Sequence, residues 1–168
     1  HRAAVDAALT AGVERIVYTS FVDPRPDSAF PFAAIHADTE DYLRVSGSTF
    51  TILRNGVYAD NLMGFVGRAL ASGRLAAPAG DGRVAFVSRA DLAEATAAVL
   101  LGDGHAGKTY ELTGPAAVDY HEVAAAVARR AGRPIEYAPI PNQAFADGLT
   151  AAGLPPFMVA ALSGLFQA

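Results

Sequence analysis

The sequence contains no cysteine, which excludes disulfide scaffolds, thiolate zinc centres and cysteine nucleophiles. Lysine is nearly absent too: of the 13 basic residues only Lys108 is a lysine, the rest being arginines. No apolar run approaches the roughly 20 residues that span a bilayer, and no charged start followed by an apolar middle marks a signal peptide. A cytoplasmic protein is therefore expected. Basic residues nowhere cluster beyond Arg129-Arg130, and 13 Lys plus Arg against 17 Asp plus Glu leave a net charge of −4. That balance carries no nucleic-acid footprint. The four histidines, at 1, 36, 105 and 121, are scattered, so no metal site is expected.

What the chain does have is apolar material: 52% of its 168 residues are hydrophobic and the mean hydropathy is +0.24, enough to bury one core. The pattern alternates between helical and strand periods throughout. A helix over 1–11 stops at Gly12 and leads into the strand 15–20, RIVYTS, the αβ step of a parallel sheet. Prolines 24, 26 and 31 make 23–31 a loop. A helix over 33–45 follows, with Ile35, Thr39, Tyr42 and Leu43 on its inward stripe and His36, Asp38 and Glu40 as a surface cluster. Strand 49–54, a helix over 62–71, a Gly/Pro loop over 76–82 and a strand 83–87 come next. Ser88 and Asp91 start the helix 90–101, and Asp119 with Glu122 makes a capping-box start for the helix 120–131. Strands 108–113 and 135–139 and a closing helical pair, with Asn142 as its cap, complete the chain. It is expected to be one α/β domain, 1–168, with 108–168 forming a smaller C-terminal region on the substrate side.

Several chemical motifs are missing. Gly102 to Gly107 spells GxGxxG but follows a helix and precedes a strand, whereas phosphate binding places the glycines after a strand and at a helix N-terminus. Gly80 to Ala85 fails in the same way. There is no GxSxG nucleophile elbow. The Tyr-x-x-x-Lys pair that lets a tyrosine exchange a proton with an alcohol is absent, because Gly104 stands four residues before Lys108. Hydride chemistry here needs an acceptor that does without a strong proton donor.

One stretch concentrates polar groups at a strand's exit: Thr51 to Asn61, TILRNGVYADN. Its apolar β-rich start breaks at Asn55-Gly56, and Tyr58, Asp60 and Asn61 crowd the turn. In open α/β sheets ligands bind beyond the carboxyl ends of the strands. The turn is thus either one wall of a crevice or a plain solvated connection. His36 likewise is either an exposed imidazole or a ring facing that crevice.

The runs HRAAVDAALTAGVERIVYTS, HADTEDYLRVSGSTFTILRNGVYADN, GDGRVAFVSRADLAEATAAVL and GKTYELTGP together resemble the NmrA-like atypical short-chain dehydrogenases, and among them the bacterial NAD(P)H:quinone oxidoreductases of the second type. The resemblance implies a Rossmann-like parallel sheet with helices on both faces. The family's front βα units and glycine-rich phosphate loop are not in this chain, which begins at His1 in a helical pattern and is expected to be N-terminally truncated. The resemblance further implies that Thr19, Ser20, His36, Asn55, Gly56, Val57 and Tyr58 line the nicotinamide half of an NADP(H) or NAD(H) site, NADPH being favoured. It places Asn61 and Phe21 on the acceptor side, with Asn61 and Tyr58 as the catalytic pair. Arg89 matches a position that either serves the site or holds the turn after Val87. The implied activity is hydride transfer to a small-molecule quinone; the alternative is a non-catalytic dinucleotide-binding redox sensor. The stretch alone is expected to be inactive and to bind cofactor weakly, and an unpaired sheet edge favours a homo-oligomer.

Overall fold

The computed structural model describes residues 1–167. Its centre is a three-stranded parallel sheet in the order β1-β2-β4, built from β1 (Arg15–Phe21), β2 (Thr49–Asn55) and β4 (Thr109–Leu112). The middle strand, β2, has Thr51, Ile52 and Leu53 all fully buried. Successive side chains of a strand point to opposite faces, so consecutive burial means that β2 is covered on both. Helices α1 (Arg2–Thr10) and α2 (Pro31–Val45) pack over one face, where Val5, Leu43 and Ile52 form a cluster. Burying each such aliphatic side chain contributes about 1.5–3 kcal/mol.

Helix α2 begins where the proline-rich loop makes it begin. Pro31 occupies the first turn, where its missing N–H costs nothing, after an extended Phe30. The helix ends at Ser46 before Gly47, whose φ of 79° few side chains would tolerate.

A second, two-stranded parallel sheet pairs β3 (Arg74–Ala77) with β5 (Glu136–Pro139). Its core comprises Leu75 and Ala77 with Ala69 of α3 (Met63–Ser72), Tyr120, Val123 and Ala124 of α5 (Tyr120–Ala131), and Ile135. The capping box of α5 is present in full, with Asp119 accepting from the Glu122 backbone N–H and the Glu122 carboxylate accepting from that of Asp119. Helix α4 (Arg89–Leu101) starts at Ser88, whose Oγ accepts from the Asp91 N–H at 3.0 Å. Helices α6 (Asn142–Ala151) and α7 (Pro156–Gly164) close the chain.

Five expectations need correction. Residues 83–87 are not a strand. They make two isolated bridges, Val84 to Val118 and Val87 to Tyr58, and partners in different elements cannot form a continuous ladder. The loop expected over 76–82 instead opens inside β3, whose RLAA sequence has too few β-branched residues to signal a strand. The boundary at 108 does not follow the sheets, since β4 lies in the central sheet and β3, from before it, in the small one. Of the expected stripe, Thr39 and Leu43 are buried, but Ile35 is 43% exposed, and Ala33, Ala37 and Glu40 complete the buried face of α2. Finally, Asn142 is not a cap: Pro141 takes that position, and the Asn142 Oδ1 is buried without a hydrogen-bond partner.

Candidate active site at the strand ends

Register brings the ends of the central strands together. Phe21 lies opposite Asn55, and Asn55 opposite Leu112, so β1, β2 and β4 finish in one row. The chain beyond Asn55 is then stitched in place by backbone hydrogen bonds: Gly56 N–H to the Leu112 carbonyl at 2.9 Å, Val87 N–H to Val57 at 3.1 Å, and Ala59 N–H to Val87 at 2.9 Å. The non-strand segment before α4 thus props the polar turn. Arg89 reinforces it from outside, its guanidinium 5.0 Å from the centre of the Tyr58 ring and 3.9 Å from the Asp60 carboxylate. Of the two roles open to Arg89, the contacts are those of a turn brace.

Above the row lies a cavity of about 270 Å³. Thr19, Ser20 and Phe21 line it from the end of β1, His36 from α2, and Gly56, Val57, Tyr58 and Asn61 from the turn. Asn55 is the exception among the residues expected there. It sits behind the wall, 6% exposed, with its Nδ2 donating to the Tyr58 hydroxyl at 3.4 Å and its Oδ1 buried without a partner.

Sequence reasoning missed Phe30, Phe32 and Leu165, which complete the lining. The phenylalanines form a chain of ring contacts, Phe21 to Phe30 at 4.9 Å, Phe30 to Phe32 at 5.4 Å and Phe32 to Phe157 at 5.1 Å. The aromatic-rich SAFPF run at the end of the loop was the available signal. Leu165 had none, since it comes from the far end of the chain.

The surface cluster expected around His36 does not exist. Asp38 pairs outward with Arg2, and His36 turns toward the cavity, its Nδ1 2.7 Å from the Tyr18 hydroxyl. Glu40 is 1% exposed. Its Oε1 accepts from the Ser20 hydroxyl at 2.7 Å and from Arg54 Nε at 3.0 Å, and its Oε2 from Arg54 at 2.8 Å and Arg44 at 2.7 Å. Burial by itself would push this carboxyl up; the hydrogen bonds from Arg54, Ser20 and Arg44 and the Arg54 charge outweigh it and hold the group below the usual carboxylate value. The carboxylate therefore stays ionised and fixes the Ser20 hydroxyl proton. Burial lowers the His36 pKa more than the Glu40 charge raises it, so its ring is neutral at pH 7.

The result is a flat-walled, uncharged slot. Its free polar groups are the Thr19 hydroxyl, the unpaired nitrogen of His36 and the Asn61 amide; Thr19 and Asn61 make no side-chain hydrogen bond to any described residue. Such a set suits an aromatic amide and a carbonyl oxygen, not a phosphate or a metal ion.

The whole of this arrangement, from β1 to α7, matches the NmrA-like family over residues 2–168. The chain belongs to the NmrA-like family. It is 39% identical over 155 residues to quinone oxidoreductase 2 of Escherichia coli, covering 92% of the chain and 54% of that protein. It is 29% identical over 164 residues to the NAD(P)H azoreductase of Xenophilus azovorans, covering 98% of the chain and 57% of the azoreductase. The crystal structure of the E. coli NADPH-dependent quinone oxidoreductase complexed with NADPH superposes with a TM-score of 0.92 at 37% identity, over 99% of this chain and 58% of that one. The NmrA-like chain thus spans a little over half the length of these relatives. Its fold is the Rossmann-like α/β fold of those reductases, with parallel strands and the candidate slot at their carboxyl ends.

Proposed function

We propose that this chain supplies the nicotinamide and acceptor walls of an NADPH-dependent oxidoreductase that passes hydride to a quinone-type acceptor. The observation that carries the reading is the slot itself: aromatic walls, no ionised group among the described lining residues, and three weak polar groups in place of a Tyr/Lys pair. Two relatives add support, one a quinone oxidoreductase and the other an azoreductase, both acting on flat conjugated acceptors by name. NADPH is the favoured cofactor because the E. coli relative is seen complexed with it. The donor set fits a nicotinamide ring with its carboxamide; no described residue offers a glycine-rich turn between a strand and a helix N-terminus for the phosphates.

The cofactor, when bound, supplies a hydride. The protein's own part is positioning and water exclusion. The Thr19 hydroxyl and the His36 ring nitrogen hold the carboxamide, and the Ser20 hydroxyl, its proton committed to Glu40, offers only acceptor lone pairs. The Asn61 amide donates to the acceptor oxygen as negative charge develops on it, and Tyr58 and Phe21 hold the acceptor ring flat. The reduced acceptor's oxygens take up protons without a strong acid, which is why the slot works without a lysine.

In the full gene product, NADPH oxidation should follow addition of a simple quinone, and Asn61→Ala should lower kcat/KM about ten- to hundredfold, the worth of one hydrogen bond to developing charge. Tight NADPH binding without turnover of any quinone would replace this reading with that of a redox sensor.

A further inference from the structure

Behind the slot lies a second cavity of about 230 Å³. It shares Val57, Asn61 and Leu165 with the first, so the two adjoin along these residues. Its walls are aromatic: Phe65 and Phe145 lie nearly parallel with centroids 5.8 Å apart, and Phe166 sits edge-on to Phe145 at 5.4 Å. Among the described residues, the only charged side chain on it is Arg68, an exposed residue whose Nε donates to the Gly64 carbonyl. An apolar cavity of about 150 Å³ is enough to take up benzene, so this one has room for a substituted ring.

A second observation concerns Tyr120, which also lines the cavity. Its side chain is 4% exposed, yet its hydroxyl makes no hydrogen bond to any described residue. The neighbouring Tyr137 hydroxyl does find a partner, the Ala77 carbonyl at 3.1 Å. The Tyr120 hydroxyl is not among the fully buried unpaired groups, so it keeps room for a hydrogen-bond partner in the cavity it lines. Burial, with a smaller contribution from Tyr137, pushes its pKa up to about 12, so it remains a neutral donor across the physiological range.

We propose that this cavity is a distal-ring subsite of the acceptor site. The reactive carbonyl sits at Asn61, and the second ring of a two-ring aromatic acceptor passes between Val57 and Leu165 into the aromatic box. There the Tyr120 hydroxyl donates to an oxygen carried by that ring. The proposal rests on the reading of the first cavity as the hydride-transfer slot, and it narrows the substrate class. One-ring quinones leave the box empty, and oxygenated two-ring acceptors fill it.

The test begins with cofactor-free protein titrated with 2-naphthol and with naphthalene by calorimetry. Both should bind, and 2-naphthol should bind more tightly. Tyr120→Phe should weaken 2-naphthol about five- to tenfold and leave naphthalene unmoved, the loss of one hydrogen bond. Gly64→Leu should weaken both, because Gly64 lines the cavity and a side chain there meets no other atom within 4 Å of its Cβ. Leucine also favours the helix, so α3 survives the change. In the full gene product, both variants should lower kcat/KM for a hydroxylated naphthoquinone relative to benzoquinone by a similar factor. Absence of probe binding, or a Tyr120→Phe variant that treats the two probes as the wild type does, would overturn the proposal. Probe binding as described, in a protein that fails to oxidise NADPH with any quinone, would uphold the aromatic-ring site and defeat the quinone reading alone.

Discussion

Glu40 offers the sharpest perturbation, because one buried carboxylate ties the slot to the sheet. Replacing it by glutamine keeps the shape and removes the charge. In Glu40→Gln the new amide group would face Arg44 or Arg54 with a donor where each needs an acceptor. Breaking one side of a buried ion pair costs about 3–5 kcal/mol when the partner is left stranded. Arg54 is not fully stranded: it is 24% exposed and stands 3.5 Å from Glu111, so a cost of about 2–4 kcal/mol is expected. For a domain of this size each 1 kcal/mol moves Tm by about 2–4 °C, which puts Glu40→Gln about 5–15 °C below the wild type at pH 7. The pH dependence has a definite sign. The Glu40 pKa is lower in the folded protein than its ordinary 4.5. Its contribution is therefore complete above that value and is lost as pH falls through the folded value, so the gap between wild type and variant should close in acid. Thermal melts followed by circular dichroism from pH 7 down to pH 3 measure this directly. A Tm within about 2 °C of the wild type at pH 7, or a gap that does not change with pH, would refute the account.

Two further changes probe the parts around it. An alanine at Gly164 would drive its Cβ into the backbone carbonyl of Ala29, so Gly164→Ala should lift the loop before Phe30 off α7 at about 1–3 kcal/mol; in the full gene product it should raise the acceptor KM, and an unchanged Tm and KM would count against that packing. Asp119→Ala removes the capping box of α5 and the Arg83 partner at 3.0 Å, and should cost about 1–2 kcal/mol in urea denaturation with no change in slope.

Local chemistry made much of this chain legible in advance. Helices α4 and α5 announce themselves through side chains that bond their own first turn, Ser88 with Asp91 and Asp119 with Glu122. Strands β1 and β2 do so through dense β-branched and aromatic runs, and Asn55-Gly56 marks the exit where the polar turn begins. Those signals, with the family resemblance carried by the same runs, pointed to eight residues that now line one slot. The tertiary structure alone decided the rest. It buried Glu40 because Arg54, fourteen residues away on the neighbouring strand, neutralises it there, whereas helical spacing marks an acid as exposed. It moved Asn55 behind the wall and brought Leu165 onto it, since strand register and the return path of α7 set both positions. TILRNGVYADN owes its composition to sequence and its setting to contacts with residues that sequence does not place beside it. Val87 fixes its backbone, Arg89 braces Tyr58, and the cavity behind Asn61 is closed by side chains from α3, α5, α6 and the end of the chain.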